Sequence, residues 1–188
     1  MAPPRPNRGE EEKMVEEIIE HWLQSDNPDI LMEGIRAAIL AGDSVLSVID
    51  RLSTHPNPNA RQAAVFVAGH LGDSAFEIIE RGIQDEEPCV RAQAVGVVSN
   101  FDERRALYIL ERGIQDEDWY VRLEAVFAAG QIGLDALPIL ERGIQDEDPN
   151  VRQAAVDSAV LLGPAARPIL ERALSDPDII VRQEALSS

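Results

Sequence analysis

The stretch ERGIQDEDPNVRQAAVDSAVLLGPAARPILERALSD, Glu141 to Asp176, decides the fold. It ends on a degenerate copy of its own beginning: ERGIQDE at Glu141 returns as ERALSDP at Glu171, and identical copies of ERGIQDE start at Glu80 and Glu111. The offsets are 31, 30 and 30 residues. A second marker keeps the same step. Arg61, Arg91, Arg122, Arg152 and Arg182 are spaced 30, 31, 30 and 30 apart, and four of the five follow Val. Two independent markers in register identify a tandem repeat, which has to be recognised before any other feature is read.

Within the quoted stretch, two helical patterns alternate. Helix A runs from Val151 to Gly163, with Val151, Ala155, Ala159 and Leu162 at helical spacing. Asp148-Pro149 supplies an N-cap acid and a first-turn proline, and Gly163-Pro164 stops the helix. Helix B runs from Ala166 to Asp176, with Ile169, Leu170, Ala173 and Leu174 on one side. Neither helix is long enough to be stable alone, and one hairpin cannot bury both of its faces. Stacked neighbours supply the missing surface. The predicted architecture is all-α: a right-handed α-solenoid, or superhelix, of stacked antiparallel helical hairpins.

Working outward, the unit recurs with weaker identity at Ala60–Gly72 with Ser74–Gln84, and at Asp29–Gly42 with Ser44–Leu52. Leu31 takes the marker-arginine place in the earliest of these. Repeats are expected at about 26–55, 56–85, 86–116, 117–146 and 147–176, with a half repeat at 177–188. Glu10 to Gln24 carries Met14, Val15, Ile18, Ile19, Trp22 and Leu23 on one stripe and reads as an amphipathic capping helix. Residues 1–9, with three prolines, read as a disordered tail. The half repeat suggests a fragment of a longer chain or, less favoured, end-to-end self-association through an uncapped last helix.

Composition narrows the function classes. The chain has 188 residues, 45% hydrophobic and 27% charged, with only 4% aromatic. Ala, Val, Ile and Leu therefore make the core. Net charge is −17, from 34 acids against 17 bases, and Lys13 is the sole lysine. Such a surface opposes nucleic acid and anionic membranes and suits a basic protein or peptide. No apolar run reaches bilayer length, and MAPPRPNRG has no signal-peptide apolar segment. Cys89 stands alone. A cytoplasmic location is the expectation.

The consensus D-x-D-P-x-V-R-x-x-A-V-x-x-A-G-x-x-G followed by A-L-P-I-L-E-R resembles the short HEAT-like repeats typified by the phycobilin-lyase family, over roughly residues 26–188. The resemblance implies a polar ladder through the stack, carried here by Asp85, Asp116, Asp146 and Asp176 with Arg91, Arg122, Arg152 and Arg182. Arg61 faces His55 where an acid is expected, which puts the ladder in doubt at that step. An anion-binding row of arginines is the weaker reading, because a residue present in every copy serves the fold. The resemblance also implies an alternative function, that of a bilin-lyase or chromophore-handling subunit.

The acidic turns before each helix A read as solvated caps. The row Asp50-Arg51, Glu80-Arg81, Glu111-Arg112, Glu141-Arg142 and Glu171-Arg172 points away from the core and, in this architecture, lines the concave groove. Departures from the repeat are more informative. SNFDERR, Ser99 to Arg105, replaces the Gly-x-x-Gly turn and adds a residue, so repeat curvature is expected to change there. Tyr108 stands where Pro138 and Pro168 stand later. Trp119-Tyr120 replaces Pro88-Cys89 and Pro149-Asn150, and Phe127, like Phe66, holds a place occupied elsewhere by Gly96 and Asp157, so that place need not be buried. Aromatic side chains are enriched at binding hot spots. The candidate contact zone is therefore Phe101, Tyr108, Glu111, Arg112, Trp119, Tyr120, Phe127, Glu141 and Arg142. Equally, the rings could fill a gap left by the altered turn.

No catalytic residue, cofactor site or metal site is expected. His21, His55 and His70 lie in separate units without ligand spacing, and no phosphate-binding loop or nucleophile elbow occurs. The expected function is a non-catalytic protein-interaction scaffold that grips a protein or peptide. A designed or recently amplified repeat protein without a natural partner is the third reading, motivated by the identical ERGIQDE copies.

Overall fold

A computed structural model describes residues 8–187. The chain is an all-α solenoid of helical hairpins, with no strand among the described residues. It divides into two compact units, Met1–Gly82 and Ile83–Ser188.

The first unit contains α1 (Arg8–Leu23), α2 (Pro28–Ala41), α3 (Leu46–Leu52), α4 (Pro58–Leu71) and α5 (Phe76–Gly82). Helix α1 begins two residues before the expected capping helix, so Arg8 and Gly9 are helical rather than tail. The rest of the expected tail, residues 1–7, lies outside the described residues. Helix α1 packs against α2 and α3, and α4 packs against α3 and α5. Its apolar stripe is only half used, because Ile19 and Leu23 are buried while Met14, Val15 and Ile18 are exposed.

The second unit contains α6 (Pro88–Gly96), α7 (Glu103–Gly113), α8 (Trp119–Ile132), α9 (Leu137–Gly143), α10 (Pro149–Leu162), α11 (Arg167–Ala173) and α12 (Ile179–Ser187). Helices α6, α8, α10 and α12 are the A helices, each packed on the next. The B helices sit over the seams between them. A Cβ at Gly113 would lie 2.8 Å from Val95 on α6 and 3.2 Å from Ala125 on α8. A Cβ at Gly143 would lie 2.7 Å from Val126 on α8 and 3.2 Å from Ala155 on α10. Each of these glycines lets a B helix settle into the groove between two A helices.

Local chemistry sets the helix ends as the sequence predicts. Asn27, Asn57, Asp118 and Asp148 cap A helices by accepting the N–H two residues on, at 2.8–2.9 Å. Four A helices end on a glycine with positive φ: Gly42 (62°), Gly72 (69°), Gly133 (104°) and Gly163 (65°). A short 3-10 turn follows each, and then the B helix starts. The turn at 99–105 is built differently. Helix α6 stops at Gly96, a 3-10 turn covers Val98–Asn100, and Phe101 is extended. Asp102 then caps α7 by accepting the Arg105 N–H at 3.1 Å. Val97, Val98 and Phe101 are buried and fill the space.

The arginine ladder is present and joins neighbouring repeats of the second unit. Arg91 donates Nη1 to the carbonyls of Asp85 and Glu86 in its own loop, at 2.9 and 3.1 Å. Its Nε and Nη2 grip both carboxylate oxygens of Asp116 in the next loop, at 2.8 and 2.9 Å. Arg122 repeats this with Asp116, Glu117 and Asp146. Arg152 repeats it with Asp146, Glu147 and Asp176. Each receiving aspartate also accepts the N–H two residues on, from Asp118, Asp148 or Asp178. One carboxylate therefore folds its own loop and ties it to the repeat before. Hydrogen bonding to the aspartates, opposed by burial, raises Arg91, Arg122 and Arg152 above the ordinary guanidinium pKa. Burial alone would raise Asp176. The hydrogen bonds from Arg152 and the Asp178 N–H, with the charges of Arg152 and Arg182, outweigh it and hold Asp176 below the usual range.

In the first unit the ladder position is occupied by other chemistry. Arg61 still donates to the carbonyls of His55 and Pro56, at 2.9 and 3.2 Å. His55 replaces the aspartate and accepts the Asn57 N–H through Nδ1 at 3.1 Å. Ser25, one period earlier, does the same for Asn27 at 3.2 Å. These side chains keep the loop-folding half of the role. The carboxylate half is not required at His55, because the preceding repeat carries Leu31 where an arginine would stand.

Candidate interaction surfaces

The exposed candidate residues fall on two surfaces of the second unit, and one candidate drops out. Phe101 is 8% exposed and belongs to the core of the altered turn, so it offers no contact area. This corrects its place in the contact zone: with the Gly-x-x-Gly turn gone, a large ring closes the gap. Tyr108, Trp119, Tyr120 and Phe127 are 45, 42, 44 and 41% exposed.

The first surface is the face of α8. Trp119 and Tyr120 occupy its first turn, with ring centroids 5.9 Å apart and edge to face. Tyr120, Glu124 and Phe127 follow at intervals of four and three, which places them on one side of a helix. Glu124 lies over Gly96 of α6, 3.3 Å from where a Cβ would stand. The charge of Glu124, then partial burial and a hydrogen bond, raise the Tyr120 phenol above its usual pKa. The stripe continues in changed form on the next A helix. There Asp157 is raised by burial first, and then by the charge and hydrogen bond of Glu184 on α12.

The second surface is the outer side of the B helices. Arg112 lies 5.9 Å from the Tyr108 ring centroid and donates to its hydroxyl at 3.3 Å. Arg142 pairs with Glu111 one repeat earlier. The same backward reach occurs within the first unit, where Arg81 pairs with Asp50 at 2.6 Å and Arg51 with Glu20 at 2.7 Å. Arg81–Asp50 and Arg142–Glu111 thus bridge successive B helices, and Arg51–Glu20 ties α3 to α1. Glu20 was not legible as a member of this row, although its 31-residue offset from Arg51 was the available signal. Glu141 and Arg172, which would form the next bridge, instead wall a shallow cavity of about 210 Å³ with Ile144, Gln145, Pro168 and Ile169.

Among the described residues, no group of three or more His, Cys, Asp or Glu could hold a metal ion. No described helix is long and apolar enough to cross a membrane.

Comparison with known proteins agrees with this geometry. The family profile described as HEAT repeats matches residues 45–119 and 112–188. No curated protein sequence matches the chain significantly. Among solved structures, Escherichia coli YibA is similar at TM-score 0.70 and 18% identity, over 99% of this chain and 75% of that one. The CpcE–CpcF complex of the Nostoc phycocyanin lyase is similar at TM-score 0.54 and 18% identity, over 99% and 77%. A designed armadillo repeat protein in complex with the peptide (KR)4 is similar at TM-score 0.50 and 19% identity, over 92% and 97%. At these identities the likeness is one of fold.

Proposed function

The chain belongs to the HEAT-repeat family, and from that premise we propose that it is a non-catalytic scaffold that holds a protein or peptide partner. The observation that carries the reading is the aromatic stripe of α8. Trp119, Tyr120 and Phe127 stand exposed where the neighbouring A helices have Pro88-Cys89 with Gly96, or Pro149-Asn150 with Asp157. Exposed rings on a rigid helix supply contact area at low entropic cost and are the typical anchors of an interface. Glu124 beside them, and the net charge of −17, suit a partner with basic residues around its apolar contacts.

The outer side of the B helices is a second reading for the same function. Tyr108 is its exposed ring, and the Glu111–Arg142 bridge and the Glu141–Arg172 cavity lie along it. A designed armadillo repeat protein of similar fold is in complex with the peptide (KR)4, which supports peptide binding by a solenoid of this kind.

Affinity capture with the full chain and two variants tests both readings. Trp119→Ala with Phe127→Ala should weaken capture of specific partners by about tenfold or more, the loss typical of hot-spot truncation. Tyr108→Ala should leave capture unchanged. The reverse pattern would move the site to the B helices. A wild-type chain that retains no specific partner at any salt concentration would refute the scaffold reading.

A further inference from the structure

We propose that the outer face of α1 is a second docking site, for a basic amphipathic segment of another protein. The occupant would present apolar side chains to Met14, Val15 and Ile18 and a lysine or arginine to the glutamates beside them.

The face is apolar beyond what packing uses. Ile19 and Leu23 are buried, yet Met14, Val15 and Ile18 are 49, 49 and 41% exposed. At 100° per residue these three side chains flank one another, on the side of α1 next to its buried stripe. A contiguous apolar face on a helix otherwise rich in charge marks an interaction surface. Its rim defines the partner's chemistry. Helix α1 carries Glu10, Glu11, Glu12, Glu16, Glu17 and Glu20 against Arg8 and Lys13. Lys13 is already within 3.8 Å of Glu17, and Glu20 is bonded to Arg51.

A cavity beside this face fits a long cationic side chain. It is about 370 Å³ and is lined by Glu11, Glu12, Val15 and Glu16 of α1 and by Ser44 and Val45 of the 3-10 turn that follows α2. Its lining combines two valines with three glutamates. That combination suits lysine or arginine, whose apolar stem packs while its charge meets acid. Helix-in-groove recognition uses the same division between apolar anchors and charged flanks. A second copy of this chain fits poorly, since two α1 helices would bring like charges together. An anionic lipid surface is repelled for the same reason.

The test is fluorescence anisotropy of the full chain with a labelled 18-residue leucine–lysine amphipathic peptide. Two control peptides accompany it: leucine–glutamate of the same pattern, and serine–lysine of the same charge. Only the leucine–lysine peptide should bind. Met14→Ser with Ile18→Ser, and separately Glu11→Gln with Glu16→Gln, should each weaken it at least tenfold while helicity is kept. Trp119→Ala with Phe127→Ala should leave it unchanged, which separates this site from the one on α8. Equal binding of the serine–lysine peptide, or no effect of either α1 variant, would overturn the proposal. So would a large gain in affinity on deleting residues 1–7, which would assign the face to the chain's own first residues. Self-association abolished by Met14→Ser with Ile18→Ser would assign it to a second copy, and would overturn the proposal equally.

Discussion

Arg122 shows what a repeated residue does in this chain. Its guanidinium holds the Asp146 carboxylate through two bonds and two carbonyls of its own loop through a third nitrogen. A planar fork does this where a point charge could not. Arg122→Met would leave the buried Asp146 without its counter-charge and should destabilise the protein by about 3–5 kcal/mol, measured by urea denaturation. The pair at Asp157 and Glu184 works in the opposite sense. Asp157 is raised in the folded state, so its contribution to stability is present at low pH and lost as pH rises through that raised value. Asp157→Asn should therefore increase the unfolding midpoint at pH 7 and give no gain near pH 3. Asp176 is lowered, so its contribution is present at neutral pH and lost as pH falls below the ordinary carboxylate range. The ladder was legible because its residues recur at a fixed step. The Asp157–Glu184 contact was not, because Asp157 stands where the other copies carry Phe66, Gly96 and Phe127, although Glu124 holds the place of Glu184.

At the scale of the helix, turn chemistry was readable and the exception was only half readable. Gly163 and its counterparts mark the ends of A helices, since a residue at φ near 65° favours glycine. SNFDERR announced a different turn, but not that Phe101 would be buried in it. A ring in a loop reads the same from sequence whether it faces solvent or fills a gap, and only its burial in the fold decides it. Close approach was not legible either. Gly113 and Gly143 are the last residues of their B helices, and each is glycine because the helix end drops between two A helices. Gly143→Ala improves helix propensity yet places a methyl 2.7 Å from Val126. Overpacking should win, with a loss of about 1–3 kcal/mol in chemical denaturation.

Over the whole molecule, positions that repeat and positions that depart from the repeat divide the work. Ladder residues, seam glycines and helix caps recur and build the solenoid. Trp119 and Tyr120 of α8 have no aromatic counterpart in the other described repeats, whereas Phe127 shares its place with Phe66; these rings and the uncovered face of α1 carry the proposed contacts. The fold was legible because thirty-residue periodicity repeats one solution to burial many times. The contact surfaces were only partly legible. Trp119, Tyr120 and Phe127 stood out as departures, whereas the exposure of Met14, Val15 and Ile18 depends on which half of an apolar stripe the core takes. The most direct test restores the repeat at α8: Trp119→Pro, Tyr120→Asn and Phe127→Asp together, the residues that the next copy carries at Pro149, Asn150 and Asp157. Partner affinity of this triple variant, measured at matched helicity, should fall at least tenfold. Affinity equal to that of the unaltered chain would contradict the claim that recognition resides where the repeat breaks.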